Sequence, residues 1–176
     1  MTDCFNPVQT SQMCRKDKIR QRLWEFVRPI AFGCSPWFAR RWRIFWLKLF
    51  GAKEVVFSAS VWRMARVDFP WNLSLGERSS IADGDWIYAM DKILVGRNCC
   101  LSESAMLLTG THDVSSPRFD LVIKPICIGD NVWIGAGAMI LPGVIIGGDW
   151  RWGSGDERCP FVGGCGWQSC QGHQKA

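Results

Sequence analysis

Aliphatic residues recur at six-residue steps through the middle of the chain, and no other feature limits the fold as much. Leu75-Gly76 is followed by Ile81 and Ile87, Val95-Gly96 by Leu101 and Leu107, and Ile128-Gly129 by Ile134, Ile140 and Ile146-Gly147. The residues two before these starts, Leu73, Ile93, Ile126 and Val144, are apolar as well. A six-residue period matches neither the helical repeat nor the two-residue alternation of a strand. It fits a coil of three short strands, each turning one aliphatic side chain inward, with three steps of six closing one turn. Ile128 to Ile146 spans 18 residues, one such turn; Leu75 to Val95 spans 20, a turn with two extra; Val95 to Ile128 spans 33, a turn with a 15-residue insertion. Small residues (Gly76, Ala82, Gly96, Ser102, Gly129, Gly135) follow the inward positions, where a tight corner leaves little room. A β-sandwich with glycine turns is the competing architecture, but it does not require one register over successive rungs. The expected fold is therefore all-β: a single-stranded parallel β-helix over residues 53–148, in which each rung buries its aliphatic residues against the next. The usual right-handed preference of parallel crossovers does not decide the hand of such a coil.

Residues 1–52 differ in character and read as a basic, Trp-rich helical extension. Residues 1–14 are polar and expected to be loose. Ile19, Leu23, Phe26 and Val27 predict a short helix that ends before Pro29. Ser35-Pro36 reads as an N-cap followed by a first-turn proline, and Trp42, Phe45, Trp46 and Leu49 mark the next helix, with Gly51 as its stop. Residues 1–50 hold ten Lys/Arg and three Asp/Glu, a balance of +7 in a chain of net charge +5, so the excess is local. Two roles suit the second helix. Its aromatic face packs on the neighbouring domain, the favoured reading, or it meets an anionic membrane surface through residues 36–50. No nucleic-acid-binding motif accompanies the charges, so nucleic acid is not an expected partner. The N-terminus MTDCFNPVQT does not read as a secretory signal, and no run of 18 apolar residues is present. The nine cysteines include no C-x-x-C pair, which argues for reduced thiols and a cytoplasmic protein, with the inner membrane surface as a peripheral location.

The chemistry concentrates in the insertion. The stretch TGTHDVSSPRFDLVIKP carries His112, one of two histidines in the chain. A polar loop projecting from a rigid solenoid is where function tends to sit. A neutral imidazole can take a proton from a hydroxyl, and either Asp113 or a backbone carbonyl could fix its tautomer. A metal-dependent β-helix enzyme needs three histidine ligands from neighbouring coils, and His112 is the sole histidine of the repeat region, so no metal is expected.

The pattern PWNLSLGERSSIADGDWIY…TGTHDVSSPRFDLVIKPICIGDNVWIGAGAMILPGVIIG resembles the hexapeptide-repeat acetyltransferases, in particular the colanic-acid and exopolysaccharide biosynthesis type, over roughly residues 40–147. The resemblance implies a left-handed β-helix, a homotrimer with active sites between subunits, and acetyl-CoA as co-substrate. It implies His112 as general base; Asp113, next in sequence, is the expected catalytic neighbour from the reading of the residues above. It implies that acetyl-CoA lies near Trp133, Gly135, Ala136, Gly137, Pro142 and Gly143. The acceptor, a sugar or lipid-linked glycan, is expected near Trp71, Asn72, Tyr88 and Asp91. Many relatives carry an Asn near the place of Ala89, which this chain lacks. Acetylation of a free sugar, serine or an antibiotic is the alternative activity.

Residues 149–176, DWRWGSGDERCPFVGGCGWQSCQGHQKA, depart from the family pattern, in which another coil and a motif like VTxDVPxWxVxxGNPAKxIKK follow. A one-base frame shift near Gly147–Asp149 accounts for this, because WQSCQGHQKA back-translated and shifted by one base reads GNPAKVIKK. The missing coil and cap lead to the expectation that the chain as written is poorly active or an inactive copy.

Overall fold

The six-residue period closes into a three-sided coil. The computed structural model describes residues 15–147, so the expectations for residues 1–14 and for the tail 149–176 lie outside the described residues. One face is the sheet of β1 (Ser60–Val61), β4 (Ser80–Ile81), β7 (Cys100–Leu101) and β12 (Trp133–Ile134). The second is β2 (Arg66–Asp68), β5 (Trp86–Tyr88), β8 (Met106–Leu108) and β13 (Met139–Ile140). The third is β3 (Leu73–Leu75), β6 (Ile93–Val95), β11 (Ile126–Ile128) and β14 (Ile145–Ile146). Every pairing within these faces is parallel. A separate antiparallel hairpin, β9 (Gly110–His112) and β10 (Leu121–Ile123), leaves the column between the second and third faces.

The inward ladders follow the sequence period residue for residue. Ile81 pairs with Leu101 and Leu101 with Ile134; Ile87 with Leu107 and Leu107 with Ile140; Leu75 with Val95, Val95 with Ile128 and Ile128 with Ile146. Most of these side chains are excluded from water, while Ile140 and Ile146 in the last described coil are half-buried. Each full burial of such a side chain contributes about 1.5–3 kcal/mol. The inward residues of one coil, within the expected 53–148 body, were not anticipated. Val55 bridges to Leu75, Val61 pairs with Ile81 and Val67 with Ile87, which adds a coil before Leu73. Its start is inconspicuous because Val55 is followed by Val56 and not by the glycine that follows Leu75, Val95 and Ile128.

At the corner between the third and first faces the backbones stack closely. A Cβ on Gly76 would stand 2.5 Å from the Gly96 carbonyl oxygen, and one on Gly96 would stand 2.6 Å from the Gly129 carbonyl carbon. Glycine is required there by proximity. The next corner carries a buried carboxylate, Asp85, whose oxygens accept from the Ala82 amide at 2.7 Å and the Ala105 amide at 2.9 Å. Burial outweighs these donors and raises its pKa from the ordinary 3.8 to about 6.

The two N-terminal helices, α1 (Arg15–Arg28) and α2 (Arg40–Leu49), cover the first coil. A π turn, Pro29–Gly33, follows α1 directly. Their buried sides are not the apolar stripes that predict them. In α1 the Trp24 ring is buried and its Nε1–H donates to the Val67 carbonyl at 2.6 Å, while Ile19, Leu23 and Phe26 face outward. In α2 the buried side is Arg43, Ile44 and Leu47; Trp42, Phe45 and Leu49 are exposed and Trp46 is half-buried, so the expected packing of the aromatic face is overturned. A period count cannot foresee this, because the buried side includes a guanidinium. Arg43 is satisfied by four oxygens: Val61 O at 2.6 Å, Ser35 Oγ at 2.8 Å, Trp37 O at 3.0 Å and Pro36 O at 3.1 Å. Ser35 is thereby occupied and does not cap α2; Ala39 stands at the N-cap with no side-chain bond. The expected stop at Gly51 is present, with φ at 99°, Gly51 N–H donating to Lys48 O and Ala52 N–H to Leu47 O, the Schellman pattern.

Two outcomes follow. Ile87→Ala lowers the unfolding free energy by about 2–5 kcal/mol in urea titration. The folded state holds the Asp85 proton more tightly than the unfolded chain, so stability from this group is full below about pH 4 and lost as pH rises through about 6. Thermal melts between pH 4 and pH 7 should show that fall, and Asp85→Asn should flatten it.

Candidate functional site

Residues beyond the six-residue spacing gather at one corner of the column, between the second and third faces. The first coil adds Phe69–Asn72 there, the second Ala89–Lys92, and the third the whole 109–125 insertion; the fourth makes only the tight turn Leu141–Val144. Parallel stacking puts these additions on top of one another.

The insertion is anchored at its base. Thr109, fully buried, donates its hydroxyl to Tyr88 O at 2.8 Å and accepts from the Asp91 amide at 3.0 Å, and Lys124 N–H donates to Thr109 O at 3.0 Å. Above that base the chain pairs as a hairpin, with His112 opposite Leu121 and Thr111 opposite Val122. Its tip is folded by short-range bonds. Asp113 Oδ1 accepts from the Ser115 amide at 2.9 Å and from its hydroxyl, and Ser116 Oγ donates to Asp120 Oδ2 at 2.6 Å. The Ser115 donors hold the Asp113 carboxyl below its ordinary range.

His112 is held by Phe119. The imidazole stacks on the Phe119 ring at 4.5 Å between centroids and 8° between planes, and its Nδ1 lies 2.9 Å from the Phe119 carbonyl oxygen. A carbonyl can only accept, so this contact selects the tautomer of the neutral ring with the proton on Nδ1 and the lone pair on Nε2. Of the two partners the sequence offered for the tautomer, the backbone carbonyl makes the contact, and the Asp113 carboxylate is engaged with Ser115. Phe119 itself was not anticipated. Its φ of 52° turns the returning chain so that both its carbonyl and its ring meet His112, and no motif signals that.

The other expected residues divide between two edges. Trp71, Asn72, Tyr88 and Asp91 share the insertion corner with His112. Asn72 Nδ2 donates to the carbonyls of Ala89 and Met90 at 2.9 and 3.1 Å, tying the first coil's corner to the second. Trp71 stacks edge-on to Phe69 and lies under the Arg20 guanidinium of α1, 4.5 Å from its carbon. Tyr88 lies against Gly110, where an added Cβ would stand 3.4 Å from the ring. Burial, with the Asp68 charge adding, pushes its phenol up, so it stands as a neutral hydroxyl. Pro142 and Gly143 turn the fourth coil at the same corner, where Gly143 N–H donates to Pro125 O at 3.0 Å and a Cβ would meet the Lys124 side chain at 3.1 Å. Trp133, Gly135, Ala136 and Gly137 lie elsewhere, on the first face and at the corner between the first and second faces. Trp133 is 75% exposed, held by its Nε1–H to Ser102 Oγ at 2.7 Å. Among the described residues, nothing stands within 4 Å of a Cβ built on Gly135 or Gly137. Among the described residues no three His, Cys, Asp or Glu side chains are grouped as metal ligands.

Comparison with known proteins bears on what this edge does. The chain is 36% identical over 132 residues to a protein of Escherichia coli (strain K12) named for colanic acid biosynthesis acetyltransferase activity, covering 73% of this chain and 70% of that one. It is 27% identical over 146 residues to the galactoside O-acetyltransferase of Lactococcus lactis, covering 81% of this chain and 58% of that one. A hexapeptide-repeat-containing acetyltransferase from Vibrio cholerae superposes with a TM-score of 0.68 at 19% identity, over 76% of each chain. A maltose O-acetyltransferase from Clostridium difficile 630 superposes with a TM-score of 0.63 at 21% identity, over 74% of this chain and 70% of that one. No family model matches the chain.

Asn72→Ala removes both donors from the Ala89 and Met90 carbonyls. It is expected to cost about 1–3 kcal/mol of stability, read by chemical denaturation. A variant as stable as the parent would show that the two carbonyls find other donors.

Proposed function

The chain belongs to the hexapeptide-repeat acetyltransferases, and from that premise we propose that it moves the acetyl group of acetyl-CoA onto a sugar hydroxyl in exopolysaccharide assembly. Acyl transfer is the family's chemistry, and the Escherichia coli relative's name supports the polysaccharide acceptor. The observation that carries the mechanism is the Nδ1–H bond from His112 to the Phe119 carbonyl, because it leaves Nε2 as a base. Nε2 takes the proton of the acceptor hydroxyl as that oxygen attacks the thioester carbonyl. The carbon–sulfur bond then breaks, and the imidazolium returns the proton to the departing thiolate. Transfer is direct, with no acetylated enzyme. Asp113 supports His112 from a distance, by shaping the hairpin tip through Ser115.

Trp71, Tyr88, Asn72 and Asp91 offer the acceptor side an aromatic wall and polar groups on the same corner as His112. The open corner at Gly135, Ala136 and Gly137, with the exposed Trp133 ring, suits the extended pantetheine arm of the co-substrate, and the Pro142-Gly143 turn would receive its end. These two groups stand on different edges of one column. A homotrimer of left-handed coils resolves this by setting the His112 corner of one subunit against the first face of the next. Residues 53–148 form the acetyltransferase body in this reading, with 1–52 as its helical annex and 149–176 as the aberrant tail. The need for acetyl-CoA supports a cytoplasmic reaction.

In the chain with the frame-restored C-terminus, His112→Ala is expected to lower kcat by about 10²–10⁴-fold with the melting temperature unchanged. Asp113→Asn is expected to lower it only a few-fold. Unchanged turnover in His112→Ala would overturn the assignment. For the tail, a version carrying the frame-restored C-terminus should transfer acetyl faster than the chain as written, and equal rates would refute the frame shift's functional cost.

A further inference from the structure

The outer flank of the N-terminal helices is apolar in a way the fold does not require. Ile19, Leu23, Phe26 and Ile30 follow one another along one stripe at i, i+4, i+7 and i+11, each more than half exposed. On α2 the exposed residues are Trp42, Phe45 and Leu49, and the loop before it exposes Trp37 and Phe38, each at 67%. The two helices are tied together through the π turn and through Phe50, the residue that ends α2. Trp42 Nε1–H donates to Ala31 O at 3.1 Å, the Trp24 and Phe50 rings meet at 5.0 Å, and Arg20 donates to Phe50 O. The opposite sides are already used against the coil through Trp24, Gln21, Arg43, Ile44 and Leu47. Beside the apolar stripe of α1, Lys18 and Arg22 line the same shallow depression as Ile19, Leu23 and Phe26. Residues 15–53 carry eleven Lys/Arg and two Asp/Glu.

We infer that this two-helix flank docks on an anionic lipid bilayer surface, with the aromatic and aliphatic side chains in the interfacial zone and the basic residues on lipid phosphates. Charge complementarity selects the occupant: Lys18 and Arg22 beside the apolar stripe of α1, in a segment of net positive charge, match anionic headgroups over acyl chains. The flank lies in the plane of the surface, since no helix among the described residues is long and apolar enough to cross a membrane. The side of α1 opposite the bilayer touches the insertion corner. Arg20 lies over Trp71, and Gln21 Oε1 accepts from the Phe69 amide at 3.2 Å. The acceptor corner therefore sits next to the docked helix, which makes a lipid-linked glycan the acceptor class; this clause alone rests on the sugar-acetylation reading above.

Sedimentation of the full chain with vesicles tests the docking without reference to catalysis. At 0.1 M salt the chain is expected to bind vesicles of phosphatidylcholine with 30% phosphatidylglycerol at least tenfold more tightly than pure phosphatidylcholine vesicles. That preference should disappear at 0.5 M salt, where screening shortens to a few ångströms. The triple variant Leu23→Ser, Phe26→Ser, Phe45→Ser should lose at least tenfold in binding while keeping its melting temperature and its light-scattering mass. Equal binding by parent and variant, or no binding by the parent, would overturn the inference. So would a variant of lower mass, which would assign the flank to a second copy of the chain. A soluble-acceptor assay of the chain with the frame-restored C-terminus separates the two readings: normal transfer without vesicle binding removes the docking alone, and vesicle binding without transfer removes the acetylation reading alone.

Discussion

Stacking of inward aliphatic side chains in register is the interaction on which the remaining structure depends. Leu75, Val95, Ile128 and Ile146 form one ladder, and the two other ladders repeat the arrangement on the other faces. Parallel pairing between successive coils leaves no freedom to shift one strand without misplacing a whole rung. Extra residues must leave the column at a corner, and they all leave at the same one. The site is thus a consequence of the core: four stacked corners, three of them enlarged, on a scaffold whose rungs are buried.

At that corner the imidazole is positioned by the backbone more than by charge. A carboxylate in contact with Nδ1 would stabilise the protonated ring strongly. A carbonyl orients the ring and sets the tautomer with a weaker pull on its proton. The Phe119 ring adds a parallel face to the same end. The hairpin that carries both is short, and its tip is closed by Asp113, Ser115, Ser116 and Asp120 bonding among themselves. Geometry at the base comes from the buried Thr109, which links the hairpin to the coil above it through Tyr88 and Asp91.

Much of this was legible before any coordinates. The pairings of Ile81 with Leu101, Ile87 with Leu107 and Val95 with Ile128 follow from counting sixes and discounting the insertion. His112 stood out because it is the lone histidine of the repeat and lies in the insertion. The inward residues of the first coil were hidden because Val55 is followed by Val56 where the other starts carry a glycine. The helix faces were misread for a different reason. Periodicity identifies an apolar stripe but not what lies opposite it, and the buried side of α2 is marked by an arginine that four oxygens hydrogen-bond. Phe119 was illegible because its contribution is a backbone carbonyl, which every residue has; only the turn at φ 52° makes it particular.

The most direct measurement is the tautomer of His112, read from long-range proton–nitrogen correlations on chain labelled with ¹⁵N-histidine, with a His112→Gln sample to assign the second histidine. The account predicts a neutral ring with the proton on Nδ1 and an unprotonated Nε2 at pH 8. A proton resident on Nε2 would contradict it, because the nitrogen facing the acceptor would then have no lone pair to receive the hydroxyl proton.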